Sequence, residues 1–353
     1  MDDDFEQLRG ILESSDAETR GMAAIALGQV ASPQTVDLLV ELLDDEDQRV
    51  VCAAVQSLGA QGDRRATPAL LGLMQSDDVE IKRSVLSALA QVADERAFPA
   101  VVTALFDVDD QVRRNAAAAI GRLGDKRALE PLYEMLSDSF NWVRANAALS
   151  LLALADPRSA KPLSDRLAVE DDEMVRGNLV LALSACDPTS IPHVIELLLD
   201  EGEACKVRVS AAMALARLSE DGALAEEGRA REVLVSLLGS PQTDEEVRAA
   251  CAWALGRLPH HGSSVDVLCA ALEDPYRWVV LYAVESIALL KDPRAIPALE
   301  RARRRYASEG GASGDATSGD DDADDVAAQV VEHIDDALRE LADALAPHDS
   351  HNA

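Results

Sequence analysis

Apolar residues recur along this chain in short helical bursts, and the bursts come in pairs. Over 112–138 (VRRNAAAAIGRLGDKRALEPLYEMLSD), Val112, Ala116, Ala119, Ile120 and Leu123 share one side of a helix. A break at Gly124-Asp125 follows, and a second helix opens near Pro131 with Leu132, Met135 and Leu136 on its apolar side. Two short helices with one stripe each cannot bury both stripes against one another, so they need neighbours. The chain supplies them by repeating the pattern. Thr19, Val50, Ile81, Val112, Val143, Val175, Val207, Val247 and Val279 form one column, spaced by 31, 31, 31, 31, 32, 32, 40 and 32 residues.

The next column reads Arg20, Val51, Lys82, Arg113, Arg144, Arg176, Arg208, Arg248 and Val280. A small-residue column follows at Ala23, Ala54, Leu86, Ala117, Ala148, Ala212 and Ala252. This VRxxAAxALGxLGD…A…P-L pattern resembles the HEAT repeats, and more narrowly the short HEAT-like repeats named after phycobilin lyases. The resemblance covers roughly residues 5 to 305. It implies an all-α superhelix, a HEAT-like solenoid of about nine helical hairpins, and it specifies architecture far better than activity.

The units run 18–48, 49–79, 80–110, 111–141, 142–173, 174–205, 206–245, 246–277 and 278–307. Residues 4–14 read as the second helix of a truncated first unit, polar on the side that has no neighbour. Pro68, Pro99, Pro131, Pro162, Pro192 and Pro297 recur where second helices open, a place where a missing N–H costs nothing. Asp44-Asp45, Asp77-Asp78, Asp109-Asp110 and Asp171-Asp172 precede the VR helices as expected caps. Between Leu218 and Val233 one unit is longer by about eight residues, read as a surface loop on one rim. The expected organisation is a solenoid over 1–307, a disordered acidic linker over 308–325, an amphipathic helix over 326–346 and a frayed tail over 347–353. That last helix carries Ala327, Val330, Val331, Ile334, Leu338, Leu341 and Leu345 on one side. Such a stripe fits docking on the last repeat, folding back over the concave face, or binding another protein, a second copy of the chain included.

Composition changes the picture mainly through charge. The formal charge is −31, and the tail from Ser308 contributes −12 of it. Five lysines against 28 arginines, with abundant acid on an ordinary core, suggest a protein working in the molar salt of a halophile. Acidity then says little about a partner, although a net acidic body makes nucleic acid an unexpected one. Cys52, Cys186, Cys205, Cys251 and Cys269 are odd in number and scattered without a CxxC, so free thiols are expected. With no leader peptide and no apolar run long enough to span a bilayer, the expected setting is the cytoplasm, away from membranes.

The sequence holds no recognisable catalytic constellation. His260 and His261 are adjacent on a turn and point apart, and two ligands without a third rarely hold an ion. GxSxG, P-loop and HExxH motifs are absent. Deoxyhypusine hydroxylases, built on similar repeats, hold iron with His-Glu dipeptides, and this chain contains none. Beyond the repeat itself nothing matches a phycobilin lyase. No cofactor or metal is expected, and Gly121-x-x-Gly124 reads as helix-end punctuation.

What remains is surface. The VR helices are expected on the concave side, where two outward columns line the groove. The first is Met22, Ala53, Ser84, Asn115, Asn146, Asn178, Ser210, Ala250 and Tyr282; the second is Ile25, Gln56, Ser87, Ala118, Leu149, Leu181, Met213, Trp253 and Glu285. An asparagine ladder (Asn115, Asn146, Asn178) beside an apolar strip (Leu149, Leu181, Met213, Trp253, Tyr282) suits a peptide or helix of another protein. Amides would pair with its backbone, and aromatics would anchor its side chains. Two other readings compete: these residues fill a strongly curved inner wall, or the C-terminal helix lies on them. Trp142 and Trp278, just before VR positions, extend the rim or shield helix ends. The function expected is a non-catalytic scaffold or adaptor; the alternative is an enzyme related to the lyases or to oxidoreductases, with an unrecognised site.

Overall fold

Most repeats of the first unit start where an aspartate ends a turn and opens a helix. Asp16, Asp47, Asp78 and Asp109 sit in extended backbone and accept the N–H of Thr19, Arg49, Ile81 and Gln111, groups that no intrahelical carbonyl can reach. Asp45 does not cap a helix, contrary to expectation; it receives an arginine instead. The computed structural model describes residues 8–30, 32–220, 222, 227–259, 261–309 and 321–345. Those residues are helical with no strand, so the fold class is all-α. They form two compact units, 1–186 and 187–353.

In the first unit the VR helices, here called A helices, are α1 (Ala17–Gly28), α3 (Gln48–Gln61), α5 (Val79–Val92), α7 (Asp110–Leu123), α9 (Asn141–Leu154) and α11 (Glu173–Cys186). The B helices between them are α2 (Pro33–Glu41), α4 (Thr67–Leu73), α6 (Phe98–Ala104), α8 (Leu129–Met135) and α10 (Ala160–Leu167). Successive A helices stack on one another, and each B helix packs chiefly on the A helix that follows it. Val50, Val112, Val143 and Val175 are fully buried at this junction, which explains the valine column. Pro68 and Pro99 fall within the first two residues of their B helices, while Pro131 and Pro162 are third, still among the positions whose N–H has no helical partner.

The second unit repeats the plan. Its B helices are α12 (Ile191–Leu199), α14 (Glu227–Leu238), α16 (Gly262–Ala271) and α18 (Ile296–Glu309). Its A helices are α13 (Cys205–Glu220), α15 (Glu245–Leu255) and α17 (Arg277–Leu290). The long loop read from Leu218 to Val233 is largely helix, since α13 runs to Glu220 and α14 begins at Glu227; most residues between lie outside the described set. A last helix, α19 (Asp321–Leu345), takes the next place in the A row and packs on α17 and α18. Val330, Ile334, Ala337 and Leu341 are buried there, and Arg303 of α18 pairs with Asp335. The described centre of the stripe is thus covered by the chain's own last hairpin, as in the reading that it docks on the last repeat, and pairing through it would require undocking. The linker expected over 308–325 lies mostly outside the described residues, but α18 continues to Glu309 and α19 starts at Asp321. The tail expected over 347–353 also lies outside them.

Two side-chain ladders fix the stack. In the first, arginines at the start of A helices fork onto a carboxylate at the end of their own hairpin. Arg20 donates to Asp45 (2.7 and 2.7 Å), Arg113 to Asp138 (2.7 and 3.1 Å), Arg144 to Glu170 (2.8 and 2.9 Å) and Arg248 to Asp274 (2.9 and 3.0 Å). A third nitrogen reaches back to carbonyls ending the preceding hairpin: Arg113 to Asp107 (2.9 Å), Arg144 to Asp138 (2.9 Å), Arg176 to Leu167 and Glu170 (both 3.0 Å). One guanidinium therefore ties two hairpins with a planar fork and a third nitrogen, whereas Lys82, among the described residues, makes a single bond, to Asp107. The second ladder is a close approach of A helices. Ser57, Ser150 and Ser286 donate to the carbonyls of Ala24, Ala117 and Ala252 on the preceding A helix (2.9, 2.5 and 2.7 Å). Facing them are Gly28, Gly121 and Gly256, where a Cβ would meet serine atoms. Gly121 is therefore not helix punctuation; Gly124, with φ of 69°, is.

Candidate functional site

The residues expected to line a groove divide between the two units. In the first, Asn115 lies on α7, Asn146 and Leu149 on α9, and Asn178 and Leu181 on α11. All three asparagines and Leu181 are half-buried, and Leu149 is 40% exposed. Asn146 spends an N–H on the carbonyl of Trp142 in its own helix (2.8 Å), a local bond of the kind short polar side chains make. Asn115 and Asn178, both half-buried, make no such bond among the described residues.

In the second unit Met213 on α13, Trp253 on α15 and Tyr282 on α17 meet in one place. They line an open pocket of about 470 Å³ together with Val209, Glu246, Ala249, Ala250, Tyr276 and Trp278. Two of the three tryptophans and two of the four tyrosines in the chain converge here, in a protein with 3% aromatic residues. The ladders explain how. Gly256 lets α15 approach α17 against Ser286, and the Arg248–Asp274 fork holds the start of α15 to the turn that leads into Tyr276.

The ring arrangement is defined. Trp278 and Tyr282, one helical turn apart, have centroids 6.3 Å apart at 31°. The Arg257 guanidinium lies 3.8 Å from the centroid of Trp253 and is itself paired with Glu285 (2.8 Å) and Glu220 (3.4 Å). Tyr276, Trp278 and Glu246 complete the wall and were outside the two columns read from the sequence. Trp278 was visible as an aromatic at a helix start; Glu246 was not, because an acid in a first turn is an ordinary start signal.

Cys205, whose thiol donates to Glu246 (3.5 Å), sits beside the pocket, and burial with that carboxylate pushes its pKa up to about 11. Burial alone drives the Cys251 thiol up to about 12. Neither is a ready nucleophile at neutral pH. All five cysteines are free. Among the described residues no group of three or more His, Cys, Asp or Glu is placed to hold a metal, and no helix is long and apolar enough to cross a membrane. His261 accepts from the N–H of Ser263 as a helix cap, and His260 lies outside the described residues.

Repeated hairpins whose A helices stack side by side, stapled at their ends, define the class of helical-repeat solenoids. A model of HEAT repeats matches residues 5–90, 73–139, 98–184, 191–280 and 232–309, and the chain belongs to the HEAT-repeat family. Its fold is similar to yeast importin-β (Kap95p), with TM-score 0.65 and 15% identity over 95% of this chain and 50% of that one. The same protein in a Kap95:Nup1 complex matches at TM-score 0.63 and 12% identity, over 95% of this chain and 52% of that one. The CpcE and CpcF complex of phycocyanin lyase from Nostoc matches at TM-score 0.45 and 23% identity, over 77% and 94%. The chain spans about half the length of the importin-β chains it resembles. No curated protein sequence matches it.

Proposed function

We propose that this chain is a non-catalytic adaptor that holds a peptide or helix of another protein against its A-helix face. The observation that carries this reading is the convergence of Met213, Trp253, Tyr276, Trp278 and Tyr282 on an open pocket. Large side chains half-exposed at a concavity are what anchor sites offer, and they cost solubility that an acidic surface otherwise secures. In the first unit the exposed Leu149 and the half-buried Asn115 and Asn178 would supply a similar mixture of apolar contact and backbone-pairing groups.

Importin-β in complex with Nup1 is a HEAT-type solenoid bound to another protein, which supports the class of function without naming a partner. The test is affinity capture at molar salt with wild-type protein and with Leu149→Asp combined with Trp253→Ala. Because both side chains are partly exposed, the variant is expected to keep the wild-type circular dichroism and melting temperature while losing its captured proteins. Unfolding would show that these residues are core. Capture of the same proteins would show that the face is idle.

A further inference from the structure

The second-unit pocket differs from a plain apolar groove in carrying a carboxylate. Three acids around it have arginine partners: Asp244 with Arg208 (3.2 Å), Asp274 with Arg248 (2.9 Å) and Glu285 with Arg257 (2.8 Å). Glu246, in the wall itself, has no basic partner among the described residues; its one polar contact is the Cys205 thiol at 3.5 Å. Next to it stand the π-faces of Trp278 and Tyr282, and an aromatic face attracts a cation through its quadrupole. The chain already uses that chemistry at this site: Arg257 stacks on Trp253 at 3.8 Å, and Arg277 lies more loosely over Trp278, 5.9 Å from its centroid. An anion would meet Glu246, and a neutral apolar side chain would leave that carboxylate partly desolvated without a counter-charge.

We propose that this pocket takes an arginine side chain of the protein partner, its guanidinium lying against Trp278 and Tyr282 with Glu246 as counter-ion. The flat, weakly hydrated guanidinium suits a ring-lined site better than a lysine ammonium, and contact with ring faces persists at salt concentrations that screen exposed ion pairs. The proposal rests on reading the A-helix face as a protein-binding surface and names the residue type that surface selects.

The probe is a blocked peptide of alternating glycine and arginine, compared with the same peptide carrying citrulline, which keeps the shape and removes the charge. Calorimetric titration is carried out on the full chain in molar potassium chloride. The arginine peptide is expected to bind at least about tenfold more tightly than the citrulline peptide. Glu246→Gln weakens it about fivefold, and Trp278→Ala removes that preference. Glu232→Gln, an equal charge change on an exposed acid of α14 away from the pocket, leaves binding unaltered. Trp278 is 41% exposed, so its replacement leaves the fold intact, as circular dichroism will check. Equal binding of the two peptides, equal loss with Glu232→Gln, or no binding of the arginine peptide to folded wild type overturns the proposal. If capture of natural partners still depends on Leu149 and Trp253, the adaptor reading survives that failure. If capture does not depend on them, the adaptor reading falls as well.

Discussion

Glu170→Gln is expected to destabilise the first unit by about 3 kcal/mol, the cost of breaking a buried ion pair by removing one partner. Glu170 is 3% exposed and receives both forks, from Arg144 (2.8 and 2.9 Å) and Arg166 (2.9 and 2.6 Å), and the backbone N–H of Asp172 (3.0 Å). A neutral amide accepts through one oxygen only and leaves two guanidiniums competing for it. The effect follows pH with a definite sign. Burial pushes the Glu170 pKa up, but Arg144, the Asp172 N–H and Arg166 outweigh it and hold it at about 2, below the ordinary 4.5. A depressed carboxylate contributes stability that is complete above its unfolded pKa and is lost as pH falls through the folded value. The wild-type protein should therefore lose this contribution between pH 4.5 and about 2, and Glu170→Gln should flatten that limb. Chemical denaturation of both proteins at neutral and acidic pH measures it; parallel acid limbs would show that Glu170 does not act this way.

Gly256→Ala should cost about 3 kcal/mol, the upper end for overpacking, because the added methyl meets backbone. Its Cβ would lie 2.6 Å from Ser286 Cα, so α15 and α17 must part to admit it. Gly72→Ala is the matched control. Nothing lies within 4 Å of that position in α4, and removing a helical glycine should stabilise by about 0.5–1 kcal/mol. Urea midpoints of the two variants give the comparison. Parting α15 from α17 also moves Trp253 away from Trp278 and Tyr282, so Gly256→Ala should loosen the pocket as well as the fold.

The architecture was legible because its cause is periodic. A valine every 31 or 32 residues, with one interval of 40, marks a buried junction, and the structure buries Val112, Val143, Val175, Val207, Val247 and Val279 completely. The arginine column was equally visible, but its purpose was not. Its partners lie 25 or 26 residues downstream at Asp45, Asp138, Glu170 and Asp274, a second periodic signal that appears only when both columns are read together. Met213, Trp253 and Tyr282 could be singled out because apolar side chains on outward positions of an acidic protein need a reason. Tyr276 escaped the columns because it sits at the turn into α17, before helical spacing begins, while Trp278, in the first turn of α17 one turn ahead of Tyr282, showed only as an aromatic at the rim. Gly121 was misread because a glycine at a helix end looks the same in sequence whether it turns the chain or admits a neighbour.

The account stands or falls on whether the A-helix face is where partners bind. Hydrogen exchange of the protein with and without its captured partner tests this most directly. Slowed exchange is predicted across α15 and α17 in the second unit and α9 and α11 in the first, with B helices α8, α10 and α16 unchanged. Protection confined to the B helices, or no protection anywhere, would contradict it.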